Sequence, residues 1–160
     1  MTAKPDPAQA APEAQLRSCV DRLDPKHQQL FRSVRAALRK RFPTANELAY
    51  DYGDAVVVGY SPTERGIEAV VAIKAGATGV ALHFNQGPQL PDPKRLLQGK
   101  GKQTRFVQVE AARQLADPDL EALLVAAADR ATVPLQPEGR GSLVVKATAA
   151  AKRASRQPAE

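Results

Sequence analysis

The chain has 160 residues, of which 43% are hydrophobic, and a net charge of +6 with a pI near 9.7. That length suits one domain with tails, and a domain of this size buries roughly two-thirds of the surface its unfolded chain exposes. A lone cysteine, Cys19, excludes an intramolecular disulfide and a cysteine-based metal cluster, and no apolar run is long enough to span a bilayer. Pro5, Asp6 and Pro7 stand where a signal peptide would need an apolar run, so the expected location is cytoplasmic.

Residues 1–11 are rich in Ala, Pro and Gln and predict a disordered lead-in. Pro12 to Leu23 predicts a first helix, with Leu16, Cys19, Val20 and Leu23 on one stripe. Asp24-Pro25 then supplies an N-cap and a first-turn proline. Leu30, Phe31, Val34, Ala37 and Leu38 form the stripe of a second helix, which Phe42-Pro43 ends.

The middle of the chain alternates. Leu48, Tyr50 and Tyr52 take every second place before the turn at Gly53-Asp54. Ala55 to Tyr60, Ile67 to Lys74 and Thr78 or Gly79 to Phe84 follow with short connections, which predicts an antiparallel meander. After a Pro-Asp-Pro turn, Lys94 to Gln98 predicts a short helical piece, and Thr104 to Glu110 a fifth strand. Asp117-Pro118 repeats the helix-start signal, and Leu120, Leu123, Leu124 and Ala127 carry a third helix to about Ala131. Ser142 to Lys146 is strand-like but isolated, inside a basic tail expected to be flexible over residues 134–160. The order predicts one α+β domain over residues 12–133: an antiparallel sheet of about five strands, with N-terminal and C-terminal helices on one face.

From Arg22 to Ala131 the chain resembles the YdhG-like family of uncharacterised small bacterial proteins. The carrying residues are Leu48 to Gly53 leading into Val56 to Tyr60, then Leu82 to Gly87, Leu90 to Pro93, the run Leu96-Leu97-Gln98-Gly99-Lys100-Gly101-Lys102 with Arg105, and the ending Gly139 to Lys146. The resemblance implies a twisted antiparallel sheet flanked by helices. One branch is described as a frataxin-like iron chaperone. Frataxins use acidic surface on the first helix and adjoining strand, whereas the long helix here carries Arg32, Arg35, Arg39, Lys40 and Arg41.

Three functions follow as expectations. In the first, a non-enzymatic binding protein, Gly99-Lys100-Gly101-Lys102 and Arg105 form an anion site, with glycine amides and cationic tips presented together. His83, Asn85, Gln86, Tyr50 and Tyr52 supply the walls of its cleft, because His83 and Asn85 share the strand face opposite Leu82 and Phe84. Its partner is a small anionic ligand or an acidic protein. The second function is iron binding at Asp51 and Asp54, as the resemblance suggests. The third is sequence-blind nucleic-acid association through Arg32, Arg35, Arg39 and the basic tail. No nucleophile, base and oxyanion donors can be assembled, so no catalytic residue and no cofactor is assigned. The metal-ligand spacings of zinc and EF-hand sites are missing from the sequence, and the expected assembly is a monomer or a homodimer.

Overall fold

Three helices form where the apolar stripes run, in a computed structural model that describes residues 9–146. Helix α1 spans Ala10–Val20, α2 Pro25–Arg41 and α3 Pro118–Asp129. Asp24 accepts the Lys26 amide at 3.1 Å and Asp117 the Asp119 amide at 2.8 Å. Each carboxylate satisfies a first-turn N–H that the helix leaves open, and the proline after it has no N–H to satisfy.

The strands are β1 (Asn46–Asp51), β2 (Ala55–Ser61), β3 (Val71–Gly76), β4 (Gly79–Phe84), β5 (Arg105–Val109) and β6 (Leu143–Lys146). They make one sheet in the order β5-β4-β3-β2-β1-β6. The expected antiparallel meander runs from β1 to β5. The sheet nevertheless has six strands and is mixed, because Leu143–Lys146 is not isolated. It lies parallel to β1, with Glu47 opposite Leu143 and Tyr50 opposite Lys146. Leu143 is buried in the core, and its amide donates to Gln9 Oε1 at 2.6 Å. Residues 134–146 of the expected tail and Gln9 to Ala11 of the expected lead-in therefore belong to the described fold; residues 1–8 and 147–160 lie outside it.

Two further segments differ from expectation. Residues 67–70 are not strand: Gly66–Glu68 forms a single 3-10 turn and β3 starts at Val71. Residues 94–98 are not helical. The two Asp92 carboxylate oxygens accept the Leu96 and Leu97 amides, both at 2.8 Å, and Arg95 takes a left-handed φ of 55°. Gln98 then exchanges two backbone hydrogen bonds with Phe106, so this loop covers the outer edge of β5.

The helices pack on one side of the sheet. Leu16, Phe31, Val34, Leu38, Leu123 and Leu124 meet Val56, Val58, Ile73, Leu82, Phe84 and Val107, all buried in one cluster. Period two then turns Val57, Ala72, Lys74, Ala81, His83, Phe106 and Gln108 to the opposite face.

One polar group crosses the core side. Arg35, turned inward from α2, donates from Nε and Nη2 to Glu47 of β1, both at 2.9 Å. The same guanidinium donates to Glu13 of α1 at 2.8 and 3.0 Å. Tyr60 of β2 donates its hydroxyl to Glu47 at 2.8 Å. Burial alone would lower the Arg35 pKa, but the hydrogen bonds to Glu47 and Glu13 outweigh it and raise it, while the Arg35 bond holds Glu13 below the usual carboxylate range.

Glu47→Ala leaves a largely buried guanidinium short of its main partner, and should lower the unfolding free energy by about 3 kcal/mol in urea titrations. Leu143→Ala should cost about 2–3 kcal/mol by the same measurement. A change near zero at Leu143 is the outcome expected if residues 143–146 were a loose tail.

Candidate functional site

The open face of the sheet is only partly open. The segment from Pro62 to Ala69 folds over it near β1 and β2. Asn85, just past β4, holds this cover by donating its amide to the carbonyls of Ala69 (3.1 Å), Gly66 (3.3 Å) and Ile67 (3.5 Å). Thr63 donates to Glu68 within the segment. Tyr50 faces the covered part, its hydroxyl against Gly66, and stacks on Tyr52 with ring centroids 6.4 Å apart.

What remains uncovered is a concavity of about 640 Å³ toward β3, β4 and β5. Its floor is made by facing positions of neighbouring strands. Val57, Lys74, Ala81 and Gln108 lie in one cross-strand row, and His83 and Phe106 in the next. Tyr52, 44% exposed, and Asp54 stand on one rim, and the β3–β4 turn, Gly76 to Gly79, on another. Gln108 donates its amide to Thr78 O at 3.1 Å and so braces that turn.

The His83 imidazole lies flat against the Phe106 ring, with centroids 5.4 Å apart and planes 20° from parallel. Its pKa is lowered, first by burial and second by the positive charge of Lys74. At neutral pH the ring is uncharged, and either nitrogen can donate or accept according to tautomer. Lys74 is exposed and forms no ion pair with a carboxylate among the described residues. The site therefore combines an ammonium without an ion-pair partner among the described residues, a neutral imidazole, a phenol and a flat apolar surface, with the Asp54 carboxylate on the rim.

The structure divides the sequence-predicted residues into two groups. Tyr52 and His83 line the concavity. Asn85 and Gln86 instead tie segments together, Gln86 by donating to the Arg130 carbonyl at the end of α3 at 3.3 Å. Lys100 and Lys102 are exposed and do not line this hollow. Arg105 donates its Nε to Gly101 O at 2.8 Å, within its own loop. The glycines there answer to backbone geometry. Gly99 has φ 103° and faces the Phe106 ring, and a side chain on Gly101 would meet Thr104 O. Thus the loop's cations do not join His83 and Tyr52 around one hollow.

The other two expectations meet different surroundings. Among the described residues, no group of three His, Cys, Asp or Glu side chains is placed to hold a metal ion. Asp51 is engaged by Arg22 and by the Gly53 amide; burial raises its pKa, but these bonds lower it further and the net shift is down. The arginine row on α2 is largely matched by acids from elsewhere: Arg32 by Asp21, Arg35 and Arg39 by Glu13 and Glu47, Arg41 by Glu121. The basic residues Lys152, Arg153 and Arg156 lie outside the described residues.

Sequence reasoning missed Lys74, Phe106 and Gln108. Their signal was strand parity: once Ile73, Leu82 and Val107 are assigned to the core, their neighbours Lys74, His83, Phe106 and Gln108 must share the other face. Comparisons with protein-family models, with curated proteins and with solved structures gave no match to this chain.

The depressed His83 pKa has a signed consequence. The unfolded state takes up the proton first as pH falls, so the contribution of neutral His83 to stability is complete above 6.5 and is lost as pH falls from there through the folded value. A proton-NMR titration of the imidazole should give a midpoint below 6.5. Lys74→Met should raise that midpoint without restoring it fully, because burial is the larger cause.

Proposed function

We propose that the protein is a non-enzymatic binding module whose ligand lies on the uncovered part of the sheet. The ligand class is a small anion with a flat apolar body, a carboxylate or phosphate on an aromatic or similarly planar frame. Lys74 receives the anionic group as a point charge. Phe106, backed by His83, and the ring of Tyr52 receive the body. The observation that supports this most is the placement of an exposed ammonium, without a carboxylate partner among the described residues, in the same hollow as a stacked ring pair.

Two features make binding a better reading than catalysis. His83 is the one titratable imidazole in the hollow, and its stacking partner is a hydrocarbon ring rather than a carboxylate that would orient it as a base. The one thiol, Cys19, is buried on the far side of the sheet, with its pKa raised by burial and then by Asp51. Membership of the YdhG-like family belongs to this proposal too, on the strength of the Leu96–Lys102 run.

The test is a ligand panel of aromatic carboxylates and aryl phosphates, read by thermal shift and by amide chemical shifts. A ligand present at a hundred times its Kd stabilises the fold by about 2.7 kcal/mol, which is several degrees in Tm for a domain of this size. Binding should perturb Tyr52, Lys74, His83 and Phe106, and Lys74→Ala should weaken it about tenfold. A panel that moves neither Tm nor those resonances rejects the proposal.

A further inference from the structure

The helix side carries a second hollow, of about 350 Å³, between the last turn of α2 and the loop that enters β6. Arg39 and Lys40 line it from α2, and Arg140 from the loop. Phe42, Pro43 and Ala45 form its apolar floor. Gly141 closes it, its amide donating to Pro43 O at 3.0 Å. Arg140 is far from Arg39 and Lys40 in sequence and comes beside them where β6 pairs with β1.

The charge balance inside this hollow is one-sided. Among the described residues, Glu47 is the only carboxylate that lines it. Arg35 already donates to both Glu47 oxygens, and Tyr60 donates to one of them. Arg39 lies 3.5 Å from the same carboxylate but remains 51% exposed, on its outer side. Lys40 and Arg140 form no ion pair or side-chain hydrogen bond among the described residues. Cations in the last turn of a helix offset its terminal dipole. That accounts for Arg39, Lys40 and Arg41 of the last turn, of which Arg41 is also bound to Glu121 at 2.8 Å and lies over the Phe42 ring. It does not account for Arg140, which belongs to no helix.

We propose that this hollow is an anion site for a phosphate group. The Arg140 guanidinium, which has no ion-pair partner among the described residues, can take two oxygens of such an anion, Lys40 adds a point charge, and Arg39, whose Nε and Nη1 face Glu47 at 3.5 Å and Glu13 at 3.9 Å, adds its exposed outer side. The apolar floor of Phe42, Pro43 and Ala45 leaves room for a small organic substituent. The site is separate from the Lys74 hollow, across the sheet, and the two can succeed or fail independently.

The experiment is a chemical-shift titration of the full chain at constant ionic strength, with inorganic phosphate in one arm and glycerol 2-phosphate in the other. Saturable shifts at Arg39, Ala45 and Gly141 are expected in at least one arm. Tighter binding of the ester assigns the site to a phosphate ester, and equal binding assigns it to the free anion. Arg140→Ala and Lys40→Ala remove exposed side chains, and each should weaken binding about tenfold. Lys74→Ala should leave it unchanged. The proposal is overturned if neither probe gives saturable shifts by about 10 mM, or if Arg140→Ala and Lys40→Ala bind as the unaltered chain does.

Discussion

The contact between Arg35 and Glu47 is the constraint on which the rest of the molecule is arranged. It joins α2 to β1, next to the β6 edge of the sheet, and through Glu13 it draws α1 to the same point. A guanidinium in this position has few alternatives. Water is largely excluded, so every N–H facing inward needs an oxygen, and the two carboxylates provide four between them. Tyr60 uses remaining capacity of Glu47, and no buried side-chain polar atom is left without a partner among the described residues. Such a network is a weak source of net stability, since desolvation offsets most of the attraction. Its strength lies in direction, because apolar packing alone would allow α2 to slide along the sheet and this fork does not.

Fixing the helices on one side determines what the other side can be. Lys74, His83 and Gln108 are poor core residues, and the chain does not bury them under a second helical layer. It covers only the region near Leu48 and Tyr50, with the Pro62–Ala69 segment, and holds that cover with one asparagine amide. The concavity is the uncovered remainder. Its floor is rigid because it is sheet, and its rim is two tight turns, one at Gly53 and one at Ala77. Ligand sites with most of their surface on rigid strands need little reorganisation to bind.

The fold was legible where its cause was local. Asp24-Pro25 and Asp117-Pro118 are capping signals complete within three residues, and both helices start there. The hairpins β1–β2 and β3–β4 likewise have short turns and clear alternation. Illegible features had distant causes. Leu143–Lys146 looks isolated because its partner, β1, lies almost a hundred residues earlier and the pairing is parallel. The Lys94–Gln98 segment has helical composition, yet a carboxylate two residues before it takes the amides of Leu96 and Leu97. His83 could be placed on the open face by parity with Leu82 and Phe84, and Tyr52 only on the same face as Tyr50; Asn85 could not be recognised as a clamp, because its acceptors are the carbonyls of a turn sixteen or more residues away.

Charge was the least legible property, for a physical reason. In the sequence, Arg32 to Arg41 is a run of cations without an acid and the Gly99–Lys102 loop is the obvious anion trap. In three dimensions the helix run is answered by Asp21, Glu13, Glu47 and Glu121, which come from four separate places in the chain. The loop lysines are exposed and line neither hollow, so solvent and salt screen them within about 10 Å. A cation attracts a specific anion when its field is neither cancelled by a neighbour nor dissipated in water. Among the described residues Lys74, Lys40 and Arg140 each lack a carboxylate partner, and each lines a concavity, where the low-dielectric wall behind it focuses the field outward. The net charge of +6 says only that cations are in excess. The sheet, by deciding which of them stand in hollows, decides which can bind.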